Sequence, residues 1–167
     1  MEAAGSELLI DKISLSAKQI PEESTFEGNV FPLTLGPLSI SNNSIEALEG
    51  CLIQNKATVD DLLRVHRGIL FRGFALSDYK DFDRIVKAID YQGMLYLGGA
   101  AVRTQLSERV FTANESPSSE KIPFHHEMAQ TPMPPTHLVM PNLTLFPFFH
   151  SSRKSHPPSS ILKVFLL

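Results

Sequence analysis

Apolar side chains recur at helical spacing in three stretches of the chain, and short apolar runs separate them. After Ser44, residues Ile45, Leu48 and Leu52 fall on one helical face, weakened by Gly50. Thr58 followed by Asp61 reads as the start of a second helix, because the threonine hydroxyl can accept an unpaired backbone N–H. Leu62, Leu63 and His66 then line one side, and Gly68 is placed to end it. Ile69 to Phe74 is an apolar run after a glycine and predicts a buried strand. Asp78 can cap the next helix, in which Phe82, Ile85, Val86 and Ile89 recur at i, i+3, i+4 and i+7. Tyr91 to Ala101 predicts a loop. Arg109 to Ala113 and Ile122 to Met128 have strand composition. Upstream, Phe31 to Ser41 is punctuated by prolines and reads as loop or edge strand. The order predicts an α+β domain whose helices decorate a β-structure beginning late in the chain.

Composition changes this picture at one place. All 18 acidic residues lie at or before Glu127, and the remainder holds most of the 12 prolines and no glycine. Such a break makes the tail look foreign to what precedes it. Elsewhere the chain has ordinary globular proportions, with 43% hydrophobic and 20% charged residues. A net charge of −3 gives no reason to expect nucleic acid or an anionic membrane as partner. The acidic N-terminus, without a basic segment and apolar run, and the single Cys51 predict an intracellular, cytoplasmic setting. No run of apolar residues approaches the length of a membrane span.

The candidate chemistry sits at Phe124-His125-His126-Glu127. In an extended backbone alternate side chains share a face, so His125 and Glu127 would project together and His126 away. An imidazole and a carboxylate side by side are two of the three groups in the facial triad that holds ferrous iron in oxygenases. The tripeptide alone is a weak signal.

Its surroundings make it stronger. The run from His66 to Ile89 (HRGILFRGFALSDYKDFDRIVKAI) and the stretch from Gly98 to His137 containing FHHEMAQTP resemble the taurine dioxygenase (TauD/TfdA) family, most closely its plant clavaminate synthase-like members. The likeness covers roughly Phe31 to His137, which implies an N-terminal extension over 1–30, the N-terminal part of the family's domain over 31–137 and an unrelated, disordered tail over 138–167. It implies a non-haem Fe(II), 2-oxoglutarate-dependent dioxygenase, an oxidoreductase acting on a small molecule. The implied fold is a double-stranded β-helix (jelly roll) with N-terminal helices. It also implies His125 and Glu127 as metal ligands, with Fe(II) as cofactor and 2-oxoglutarate as cosubstrate. The family's distal histidine and its 2-oxoglutarate-binding arginine have no counterpart after Glu127. The expectation is therefore an incomplete jelly roll, inactive as it stands. The alternative is a non-catalytic fragment or interaction protein that pairs through open strand edges.

Other polar residues carry simpler readings. His126 is expected at the surface. His137, His150 and His156 are poor replacements for the third ligand, because two lie in the tail and the first lies beyond two prolines. Arg72 and Arg103 have the forked geometry that suits a carboxylate substrate or cosubstrate, but a strand-edge charge and a solvated loop charge are the favoured readings. Asn114 follows a strand candidate. Cys51 reads as a buried helix residue with nothing to activate its thiol. Phe146, Phe148, Phe149 and Phe165 make the tail apolar. A zinc hydrolase site using His125, His126 and Glu127 ranks last, because neighbouring strand residues face opposite ways.

Overall fold

The structure, a computed structural model, describes residues 13–94, 103–112, 125–128, 131–142 and 160–166. Helix α1 (Ile45–Gln54) starts at Ser44, whose hydroxyl accepts the Ala47 N–H at 3.1 Å. Helix α2 (Lys56–His66) follows after Asn55 alone. It buries Val59, Leu62, Leu63 and His66, the i, i+3, i+4, i+7 stripe of a helix with one face inward. Thr58 does not open this helix as expected. The ladder already starts at Asn55, whose carbonyl accepts from Val59 N–H at 3.0 Å, and so Val59 joins the buried stripe.

Helix α3 (Tyr79–Ile89) is held at its start by two carboxylates. Asp78 accepts from the backbone N–H groups of Lys80 and Asp81 at 2.8 and 3.1 Å, and Asp81 accepts from Ser77 N–H at 2.9 Å. Phe82, Ile85, Ala88 and Ile89 face the core. Arg84, on the same helix, forks to Glu46 and Glu49 of α1 at 2.9 and 2.5 Å.

The strands are β1 (Leu15–Ala17), β2 (Ser24–Phe26), β3 (Asn29–Phe31), β4 (Leu33–Pro37), β5 (Gly68–Phe74), β6 (His137–Asn142) and β7 (Ser160–Leu166). Strands β2 and β3 form a separate hairpin. The other five make one sheet in the order β1-β4-β5-β7-β6. Only the β4–β5 pair is parallel, and α1 and α2 supply the crossover that a parallel pair needs. In that pair Leu33 lies opposite Ile69 and Leu35 opposite Phe71. All four belong to the core, together with the buried faces of the three helices. The β5–β7 register shifts between Arg72 and Phe74, where Gly73 takes φ +91, a conformation that L side chains resist.

Four expectations are corrected here. Strands precede the helices, beginning at Leu15, rather than starting late. The proline-bracketed segment is no edge strand, since β4 sits between β1 and β5 and its residues Leu33 to Gly36 are buried. Pro37 lies at its end and Pro32 just outside it, so neither interrupts the ladder inside. Residues 125–128 are not extended strand: Glu127 and Met128 form a turn, with Met128 at φ 53. Of the Arg109–Ala113 candidate, only an isolated bridge from Phe111 to Gln105 forms among the described residues.

Beyond His137, where irregular chain was expected, β6 and β7 pair antiparallel and β7 pairs with β5. The described residues thus form a mixed α/β arrangement with one five-stranded sheet, and a jelly roll is not seen among them. No helix among them is long and apolar enough to cross a membrane.

Candidate metal centre

The site is built from two short segments that the sheet and α3 hold in place. The first is a tight reversal over 103–112. Thr112 N–H donates to the Thr104 carbonyl at 2.9 Å, Thr104 N–H donates to the Thr112 hydroxyl at 2.8 Å, and Leu106 N–H donates to the Val110 carbonyl at 2.8 Å. Val110 is buried in the core. Ser107 donates to Asp83 of α3 at 2.5 Å, and Arg109 donates to the Tyr91 carbonyl at 3.3 Å. Asp83 lies lower than an ordinary carboxylate: its partial burial acts against this, and its bonds from Lys87 and Ser107 outweigh that. Arg103 stands at the base of this reversal.

The second segment is 125–128. Thr131 closes it from behind, donating both its N–H and its hydroxyl to the Met128 carbonyl at 2.9 and 2.8 Å. Met128 is buried, which anchors the turn. The backbone is not the extended one expected, yet the side chains still converge. His125 Nε2 lies 3.7 Å from Glu127 Oε2, and His125 and His126 are both exposed. The other oxygen, Glu127 Oε1, accepts from Arg103 Nη2 at 2.9 Å. Arg103 and Glu127 are three-quarters or more buried, whereas His125 is half exposed.

Two donors at right angles on one first-row metal ion, each about 2.1 Å from it, stand about 3 Å apart. The observed separation of 3.7 Å between His125 Nε2 and Glu127 Oε2 is longer than that spacing. The chemistry of the donor set, one imidazole and one carboxylate, suits iron as well as other first-row ions. No group of three or more His, Cys, Asp or Glu side chains able to hold a metal is found among the described residues.

The remaining candidates fall elsewhere. His137 opens β6 and stacks on Tyr91, with ring centroids 4.1 Å apart. Burial lowers its pKa, nearby Lys56 adds to this, and Asp60 opposes it. Tyr91 in turn donates to Asp60 at 2.6 Å and lies under the Lys56 ammonium, so His137 belongs to a clasp on α2 and not to the His125–Glu127 pair. Arg72 is exposed on β5, where it lines an open groove of about 500 Å³ with Lys18, Pro37, Ile40 and Asn43. Cys51 is buried on α1, as expected, and burial pushes its thiol pKa up, away from nucleophile behaviour. Asn114, His150, His156, Phe146, Phe148 and Phe149 lie outside the described residues.

Arg103 was expected as a solvated loop charge; it is instead three-quarters buried and paired with Glu127 at 2.9 Å. It stands 24 residues before its partner, and no local pattern marks such a pair. Its residue type suited a carboxylate, but nothing in its surroundings named which one.

Comparison with known proteins now bears on this geometry. No family model matches the chain. A clavaminate synthase-like protein of Arabidopsis thaliana is 42% identical over 115 residues, covering 66% of this chain and 35% of that protein. The chain is similar to a clavaminate synthase-like protein. Dapdiamide synthesis protein DdaC of Enterobacter agglomerans is 24% identical over 103 residues, covering 60% of this chain and 31% of its own length. The chain spans about a third of the length of these curated relatives. The names point, at family level, to oxygenase-type enzymes.

Proposed function

We propose that the chain carries part of the active site of a non-haem Fe(II), 2-oxoglutarate-dependent oxygenase of the TauD/TfdA type, with His125 and Glu127 as two metal ligands. The observation that supports this most is the 3.7 Å approach of His125 Nε2 to Glu127 Oε2 in a chain that is 42% identical over 115 residues to a clavaminate synthase-like protein. Bound there, iron with 2-oxoglutarate and dioxygen would supply oxidation of a substrate C–H bond, with dioxygen as the oxidant, chemistry that no side chain performs. The protein's own contribution is to hold an imidazole and a carboxylate on one side of a clamped turn. His126 is left out of this pair, and a zinc hydrolase site built on all three residues ranks below it. A facial triad uses three protein ligands, so the 167-residue chain by itself is expected to bind metal modestly and to release no succinate above background.

Cobalt(II) titration of the full chain, followed by visible absorption, tests the assignment. One ion is expected to bind, His125→Ala is expected to weaken binding by on the order of a hundredfold, and His126→Ala is expected to leave it unchanged. Equal losses in both variants, or none in either, would refute the ligand assignment. Succinate release above that of His125→Ala, in the presence of Fe(II) and 2-oxoglutarate, would overturn the expected inactivity.

A further inference from the structure

We propose that Arg103 is a positioning residue that makes Glu127 a one-oxygen ligand. This rests on the metal reading given above. The two oxygens of Glu127 are divided between partners: Oε1 accepts from Arg103 Nη2 at 2.9 Å, and Oε2 faces His125 Nε2 at 3.7 Å. A carboxylate free to swing can take an ion through both oxygens, which fills two coordination positions. With Oε1 occupied by a guanidinium, only Oε2 is offered beside the imidazole, and one more position stays open for small molecules or water. Arg103 is placed to do this by the fold. It leads the 103–112 reversal, which is fastened to α3 through Ser107 and Asp83 and to the core through Val110. Glu127 is fixed from its own side by the Met128–Thr131 clamp.

An opposite role has the opposite sign. A guanidinium near a cation site repels the cation, so an arginine that merely fills the cation's place would lower affinity, and its removal would raise it. A positioning arginine orients the ligand, and losing such an outer partner costs about tenfold to a hundredfold in metal affinity. The direction of the change therefore separates the two.

Manganese(II) binding to the full chain, measured by water-proton relaxation, reads both affinity and the number of waters on the bound ion. Arg103→Ala is expected to bind manganese at least about tenfold more weakly and to carry one water fewer, because both Glu127 oxygens become available. Arg103→Lys, which keeps the charge and one donor direction but not the fork, is expected to fall between Arg103→Ala and the unaltered chain. Unfolding midpoints of the three proteins establish that each is folded. Any other combination overturns the proposal, including weaker binding with an unchanged water count, or unchanged or tighter binding. Glu127→Ala and His125→Ala serve as the control for the underlying reading. If manganese binding is indifferent to both, the metal assignment fails and the role of Arg103 fails with it; if binding depends on both but not on Arg103, only the positioning role is lost.

Discussion

Phe71→Ala is expected to lower the unfolding free energy by about 3–5 kcal/mol, a large share of the roughly 5–15 kcal/mol that holds a domain folded. Phe71 is 1% exposed and is among the largest fully buried side chains. It lies at the middle of β5, opposite Leu35 of β4, in a strand with β4 on one side and β7 on the other. Cutting the ring back to a methyl group leaves a void walled by β4 and the helices, whose own caps and ion pairs limit how far they can relax inward. Leu162 and Ile161 of β7 are paired in register with Phe71 and Arg72, so the loss also loosens the attachment of the β6–β7 pair. Chemical denaturation followed by circular dichroism measures the change. A shift below about 1 kcal/mol, the size of an ordinary surface substitution, would show that β5 does not organise this core.

Glu127→Gln is expected to abolish metal binding over the range in which the unaltered chain saturates, a loss on the order of a hundredfold or more. The amide keeps the size of the side chain, and its carbonyl oxygen can still accept from Arg103, so the turn should survive. What disappears is the negative charge and the ligating oxygen Oε2, whose place an amide nitrogen takes. Glu127→Asp is expected to retain binding within about tenfold, because the ligand type persists on a shorter stem. Cobalt titration of both variants checks this. Retained binding in Glu127→Gln would move the ion to some other carboxylate.

Parts of this fold were legible because their causes are local. Asp78 as a cap, with Phe82, Ile85 and Ile89 at helical spacing, specifies α3 within a dozen residues, and Ser44 does the same for α1. The apolar run of β5 was equally plain. β4 was not, since Pro32 and Pro37 read as breakers and only the sheet shows that they bracket the strand. The pairing of β6 and β7 depends on β5, far away in the chain, and no local spacing encodes it. At the site, His125 and Glu127 were found from a period-two argument, and they do meet. The backbone that brings them together is nonetheless a turn ending in a left-handed Met128. The extended backbone expected at 125–128 is thus corrected to a turn, across which the two side chains approach to 3.7 Å. Arg103 read as a solvated loop charge, since its pairing with Glu127 comes only from the partner that the fold delivers.

The most direct measurement is X-ray absorption at the cobalt edge on the loaded chain and on its His125→Ala variant. One imidazole is expected in the first shell of the unaltered protein, together with oxygen donors, and none in the variant at equal loading. An imidazole signal of the same strength in both would place the ion on another histidine and contradict the assignment of His125 and Glu127.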